Sequence, residues 1–137
     1  MGVALVAVLT AALAFVLVQR ETAVVHSTVG DFALTAAAPS TASSPPIAQS
    51  AATSTALSVL ANFTPAVSGY RVEAAHWESG LTQVTGLNGS LFSRSDGVDA
   101  WVLELSAPPP PGYTAAKAFA VVSAAGRPIN VQQLLSK

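Results

Sequence analysis

Cysteine is absent from this 137-residue chain, which excludes disulfides, thiolate metal ligands, a cysteine nucleophile and a lipoprotein-type acylated cysteine. Charge is scarce as well: 9% of residues are charged, six Lys and Arg against seven Asp and Glu. A net charge of −1 gives no basic footprint for nucleic acid or an anionic membrane surface. No nucleic-acid partner is expected. Histidine is limited to His26 and His76. Serines are abundant, but none sits in a Gly-x-Ser-x-Gly elbow that would present a nucleophile. The glycines at 86 and 89 lack the strand-to-helix setting of a phosphate loop. No catalytic residue, metal site or cofactor is expected. At this length the chain has room for one domain plus accessories.

What the chain does have is an apolar run, Gly2 to Val18, with no charge and a single hydroxyl at Thr10. As a helix it is about 26 Å long, the short end of what spans a hydrocarbon core. It reads as a transmembrane anchor closed by Gln19 and Arg20, with the lipid bilayer as its partner. The competing reading is a cleaved signal peptide ending at Ala12-Leu13-Ala14 or Glu21-Thr22-Ala23. Four apolar residues, Phe15 to Val18, follow the first of these sites, and Glu21 suits the second poorly. Charge flanking the run gives little orientation, so an extracytoplasmic C-terminal domain rests on the usual arrangement of short N-terminal anchors.

Three regions follow: the anchor at 1–20, a juxtamembrane and linker segment at 21–50, and a small domain at 51–137. Val24-Val25 and Phe32-Ala33-Leu34 are expected as short extended pieces near the membrane. Pro39 to Ser50, rich in proline and serine and free of charge, reads as a flexible stalk.

Ala51 to Phe63 predicts the only helix after the anchor, with Ser50 or Thr53 as N-cap and Ala52, Ala56, Leu57, Leu60 and Phe63 on one side. Strands are expected at Tyr70 to Trp77, broken by Gly80, and at Leu81 to Leu87 and Ser90 to Arg94 around a two-residue Asn88-Gly89 turn. Asp99 to Ser106 reads as the best patterned strand, with Trp101, Leu103 and Leu105 on one face and Val102 and Glu104 on the other. Pro108 to Pro111 ends it, Ala118 to Ala124 makes the next strand, and Ile129 to Leu135 a short last strand or frayed tail. The expected fold class is α+β: a transmembrane helix, a linker, then one helix packed on an antiparallel meander of four to five strands.

From Ala51 to Leu135 this order resembles the PepSY family of small extracytoplasmic domains, through a Trp-Val-x-x-Leu strand and the following Ala118-Phe119-Ala120-Val121-Val122 strand that leads to Gly126. Ser123 stands where an aspartate is usual and Ala125 where a threonine is common. The resemblance implies a non-enzymatic domain associated with protease propeptides or cell-envelope regulation. His76 and Glu78 share a strand face, and Tyr70, His76, Trp77 and Glu78 form the candidate face for a peptide or protein partner. The expected function is a membrane-anchored extracytoplasmic interaction domain. The alternatives are a pilin-type assembly subunit, for which the apolar helix lacks the customary glutamate, and a secreted domain freed by signal-peptide cleavage.

Overall fold

A computed structural model of the chain describes residues 24–37 and 44–137. The elements are β1 (Val24–Val29), β2 (Phe32–Ala37), α1 (Gln49–Leu60), β3 (Arg71–Gly86), β4 (Leu91–Ala107), β5 (Ala115–Ser123) and β6 (Pro128–Ser136). The strands form one antiparallel sheet in sequence order, β1 to β6. This corrects the expectation of a helix on a four-to-five-stranded meander behind a transmembrane helix. Gly2 to Val18 lies outside the described residues, and no helix among those described is long and apolar enough to cross a membrane.

The largest difference is the β1–β2 hairpin, which pairs along β3 from Phe32 opposite Gly86 to Ala36 opposite Leu81. Its cause is a period-2 pattern: Phe32, Leu34 and Ala36 are buried on the inner face, while Ala33 and Thr35 face away. Burying those three side chains requires the sheet that β3 provides.

Strands expected as separate pieces are continuous. Gly80 and Gly97 bend β3 and β4 without breaking them, and the pairing register shifts twice between Glu78 and Gln83. Backbone groups released at the bend find side chains: Gly80 N–H donates to Asp99 Oδ1 at 2.9 Å, and Ser95 Oγ donates to the Leu81 carbonyl at 2.6 Å. Beyond the bend the β3–β4 hairpin carries β1 and β2; before it, β5 and β6.

The bend folds the sheet over on itself. In a flat sheet β2 and β5 would stand about 14 Å apart, three strand spacings. Yet the Phe32 and Phe119 rings lie 5.2 Å apart, and Phe92 meets both at 5.4 Å. An inner core of Val29, Leu34, Leu81, Val84, Val102 and Val121 fills the space around these rings. On the outer face of β4 to β6, α1 buries Ala52, Ala56 and Leu60 against Leu103, Leu105, Ala118, Ala120 and Val122. The alternation read along Asp99 to Ser106 therefore separates two cores: Leu103 and Leu105 face the helix, Val102 and Glu104 the fold.

The helix starts and ends earlier than its pattern predicts. Ala48 is its N-cap, without a side-chain hydrogen bond. Two tertiary ties fix the first turns of the helix to the sheet: Trp101 Nε1–H donates to the Ile47 carbonyl at 3.0 Å, and Thr55 Oγ1 donates to the Gly126 carbonyl at 3.0 Å. Ile47, expected in the stalk, packs on the helix-side core, whereas Leu57 is 37% exposed. The Asn88-Gly89 hairpin is present with a three-residue loop. Gly86 N–H bonds the Ser90 carbonyl, Gly89 N–H bonds the Gly86 carbonyl, and only Gly89 takes a positive φ, +89°. The two-residue hairpin turns, types I′ and II′, both need positive φ at their first residue, which Asn88 does not adopt.

Candidate binding cleft

The fold leaves its mouth open at the end where the β1–β2 turn, the tip of the β3–β4 hairpin and the outer ends of β5 and β6 converge. The opening is a cleft of about 480 Å³ whose walls include Phe32, Phe92, Leu87 and Leu134, with Asp31 and Lys117 at the rim. Each wall has a local cause. Phe32 follows the tight Gly30-Asp31 turn at the start of β2. Phe92 is the extra residue of a bulge, since Thr85 pairs with Leu91 and Val84 with Ser93. Its carbonyl, freed from the ladder, accepts Asn130 Nδ2–H at 2.9 Å and Gln132 Nε2–H at 3.1 Å from β6. Those two amides stitch the hairpin tip to the opposite layer.

The rim is anchored by charge. Glu104, only 7% exposed, accepts the Asp31 backbone N–H at 2.6 Å. The Asp31 carboxylate takes the Lys117 ammonium. That hydrogen bond, with the negative charges of Asp31, Glu104 and Glu73, raises the Lys117 amine above its ordinary 10.5 against the opposing effect of burial. Both rim groups remain open to water, Lys117 with 45% and Asp31 with 62% of its side chain exposed. Next to the rim, Glu73 accepts from Ser106 and Arg71, and these bonds lower its carboxyl below the ordinary value.

A cleft with one matched ion pair and apolar walls offers an occupant shape and apolar contact in place of net charge. Among the described residues that line it, Ser136 carries the only hydroxyl and none is a histidine.

The four residues read from sequence as one partner face do not share a face. Tyr70 precedes β3 and packs toward the helix-side core, its hydroxyl donating to Gln133 Oε1 at 2.7 Å; burial raises its pKa. Trp77 pairs with Trp101 across β3 and β4, their rings 5.9 Å apart, on the helix side. His76 and Glu78 share the opposite, inner side, as alternation requires, and bond at 2.8 Å. Glu78, 8% exposed, also accepts Ser27 Oγ–H from β1 at 2.9 Å.

This corner holds the edge strand β1 against β3. The carboxylate is the hub and both partners meet the same oxygen, whereas nucleophile activation needs histidine between serine and acid. His26 is exposed on the outer side of β1, turned away from Ser27. Among the described residues no three His, Cys, Asp or Glu side chains gather as metal ligands.

Sequence reasoning missed the cleft because its lining comes from five separate strands, β2 to β6, and the β3–β4 loop. One signal was present: Leu87 and Leu91 flank the hairpin turn, where polar residues are usual, and they are 66% and 52% exposed. No family model matches the chain, and no curated protein or solved structure does so.

Proposed function

We propose that this chain is a non-catalytic interaction domain, anchored in a membrane by Gly2 to Val18 and displayed outside the cytoplasm, and that it binds a protein partner at the mouth of its folded sheet. The observation that carries this reading is the cleft between Phe32, Phe92, Leu87 and Leu134, an apolar recess bordered by exposed leucine. Its volume lies within the range of ligand sites. It is open along one side, so a broad protein surface suits it better than a small molecule that must be enclosed. The resemblance of Ala51 to Leu135 to PepSY domains, carried by the Trp101 strand and the strand that leads to Gly126, implies the same non-enzymatic class.

The test is a photo-crosslinking amino acid at position 87, compared with position 54 on the exposed side of α1. Position 87 is expected to give discrete adducts in intact cells and position 54 none; equal yields would discard the cleft as the binding site. Fractionation of the same cells tests the anchor. Full-length chain in the membrane, trimmed by protease added outside, is expected, and a soluble chain shortened at its N-terminus would replace the anchor by a signal peptide.

A further inference from the structure

The same cleft carries a more specific reading, which rests on the proposed interaction role: we infer that its occupant is a second copy of this chain, docked mouth to mouth about a two-fold axis. Such a contact presents the same patch from both sides, so the patch must complement itself. Three features of the mouth meet that requirement.

The first is shape. Leu87 stands at the lip, 66% exposed, beside the recess that it helps to line. A knob and a hole on one patch are what a two-fold contact uses twice, the Leu87 of each copy entering the recess of the other.

The second is charge. The charged groups lining the cleft are one carboxylate, Asp31, and one ammonium, Lys117, both substantially open to water. The two pair within one copy, so the mouth presents no net charge to a second copy, and a charge-reversing substitution at either residue leaves two like charges there. A strongly acidic or basic partner would meet one matched and one opposed charge.

The third is the absence of repulsion. From Thr82 to Ser93, across the whole hairpin tip, no residue is charged, and the chain as a whole carries only −1. Nothing on this tip holds two copies apart. Anchoring both copies in one membrane raises their effective concentration, so a contact of modest area suffices.

The test is sedimentation of the full-length chain in a density-matched detergent. The wild type is expected to show a concentration-dependent monomer–dimer equilibrium. Leu87→Glu, at an exposed tip and therefore folded, is expected to weaken it at least tenfold. Leu57→Glu, on the exposed side of α1, is expected to leave it unchanged.

Charge gives a second readout independent of folding yield. Asp31→Lys copies and Lys117→Asp copies are each expected to dimerise poorly alone and to form the mixed dimer when combined.

A chain that is monomeric at every concentration overturns the inference. So does a dimer indifferent to Leu87→Glu, which would place the contact in the anchor or elsewhere. Crosslinks from position 87 to a different protein, with no self-adduct, would also overturn it while leaving the proposed interaction role standing.

Discussion

Replacing Gly30 by alanine probes how the rim of the cleft is held. Gly30 has φ +54°, and a Cβ built there would lie 2.3 Å from Glu104 Oε2 and 2.4 Å from its Cδ. Two costs follow. The left-handed backbone costs an L-residue about 1 kcal/mol. The Glu104 carboxylate, 7% exposed, must swing away and release the Asp31 N–H, a bond to a charged group worth about 1.5–3 kcal/mol. The sum is about 3 kcal/mol, or about 10–20 °C in melting temperature for a domain of this size.

Gly112→Ala is the control, because φ is +89° there and nothing lies within 4 Å of the added Cβ. It should cost only the backbone share of about 1 kcal/mol. Melting of the full chain, followed by the fluorescence of Trp77 and Trp101, gives both values. In a Glu104→Ala background Gly30→Ala should also fall to about 1 kcal/mol, the difference being the coupling between the two residues. Equal losses for Gly30→Ala and Gly112→Ala would refute the account of the turn as a cap on a buried carboxylate.

Two further outcomes follow from the same contacts. Lys117 has its pKa raised by Asp31, so its pairing stabilises the fold fully below the ordinary 10.5 and is lost as pH rises through the higher folded value. Lys117→Met should flatten that alkaline decline in urea midpoint, by less than about 1 kcal/mol because the pair is half exposed. Trp101→Phe removes the bond to the Ile47 carbonyl, at a cost of about 1 kcal/mol. The loss should appear as faster amide exchange at Ala51 and Ala52, which bond the adjacent Ala48 carbonyl; unchanged exchange would mean that the helix start is held by packing alone.

Local signals in the sequence were strong where one short stretch decides the outcome. Asn88-Gly89 marks a hairpin because a positive φ is needed at the turn, and Gly89 supplies it. The alternation from Trp101 to Leu105 separates two faces because strand geometry leaves no other choice. His76 and Glu78 fall on one side for the same reason. Ser27, which completes that corner, carries no signal, since its partner lies 51 positions away.

Gly80 is ambiguous in sequence. The same residue can end a strand or bend it, and here a partner strand with its own glycine at 97 continues the ladder past the bend. Phe32, Leu34 and Ala36 alternate as a strand should, but only the fold shows which surface they cover. The cleft depends on that surface and was therefore invisible.

The bent β3–β4 hairpin also sets an order of assembly. Its strands join through a three-residue loop, and β5 and β6 extend the ladder by one short connection after another. In contrast, Thr82 bonds the Thr35 carbonyl across 47 positions, so the β1–β2 hairpin closes a long loop before any contact with β3 repays it. Among the described residues, the β1–β2 hairpin is thus synthesised before the segment of β3 on which it docks. Until β3 and β4 follow, Phe32 and Leu34 have no sheet to cover them, and the interval between synthesis of β2 and synthesis of the β3–β4 hairpin exposes them to misassociation.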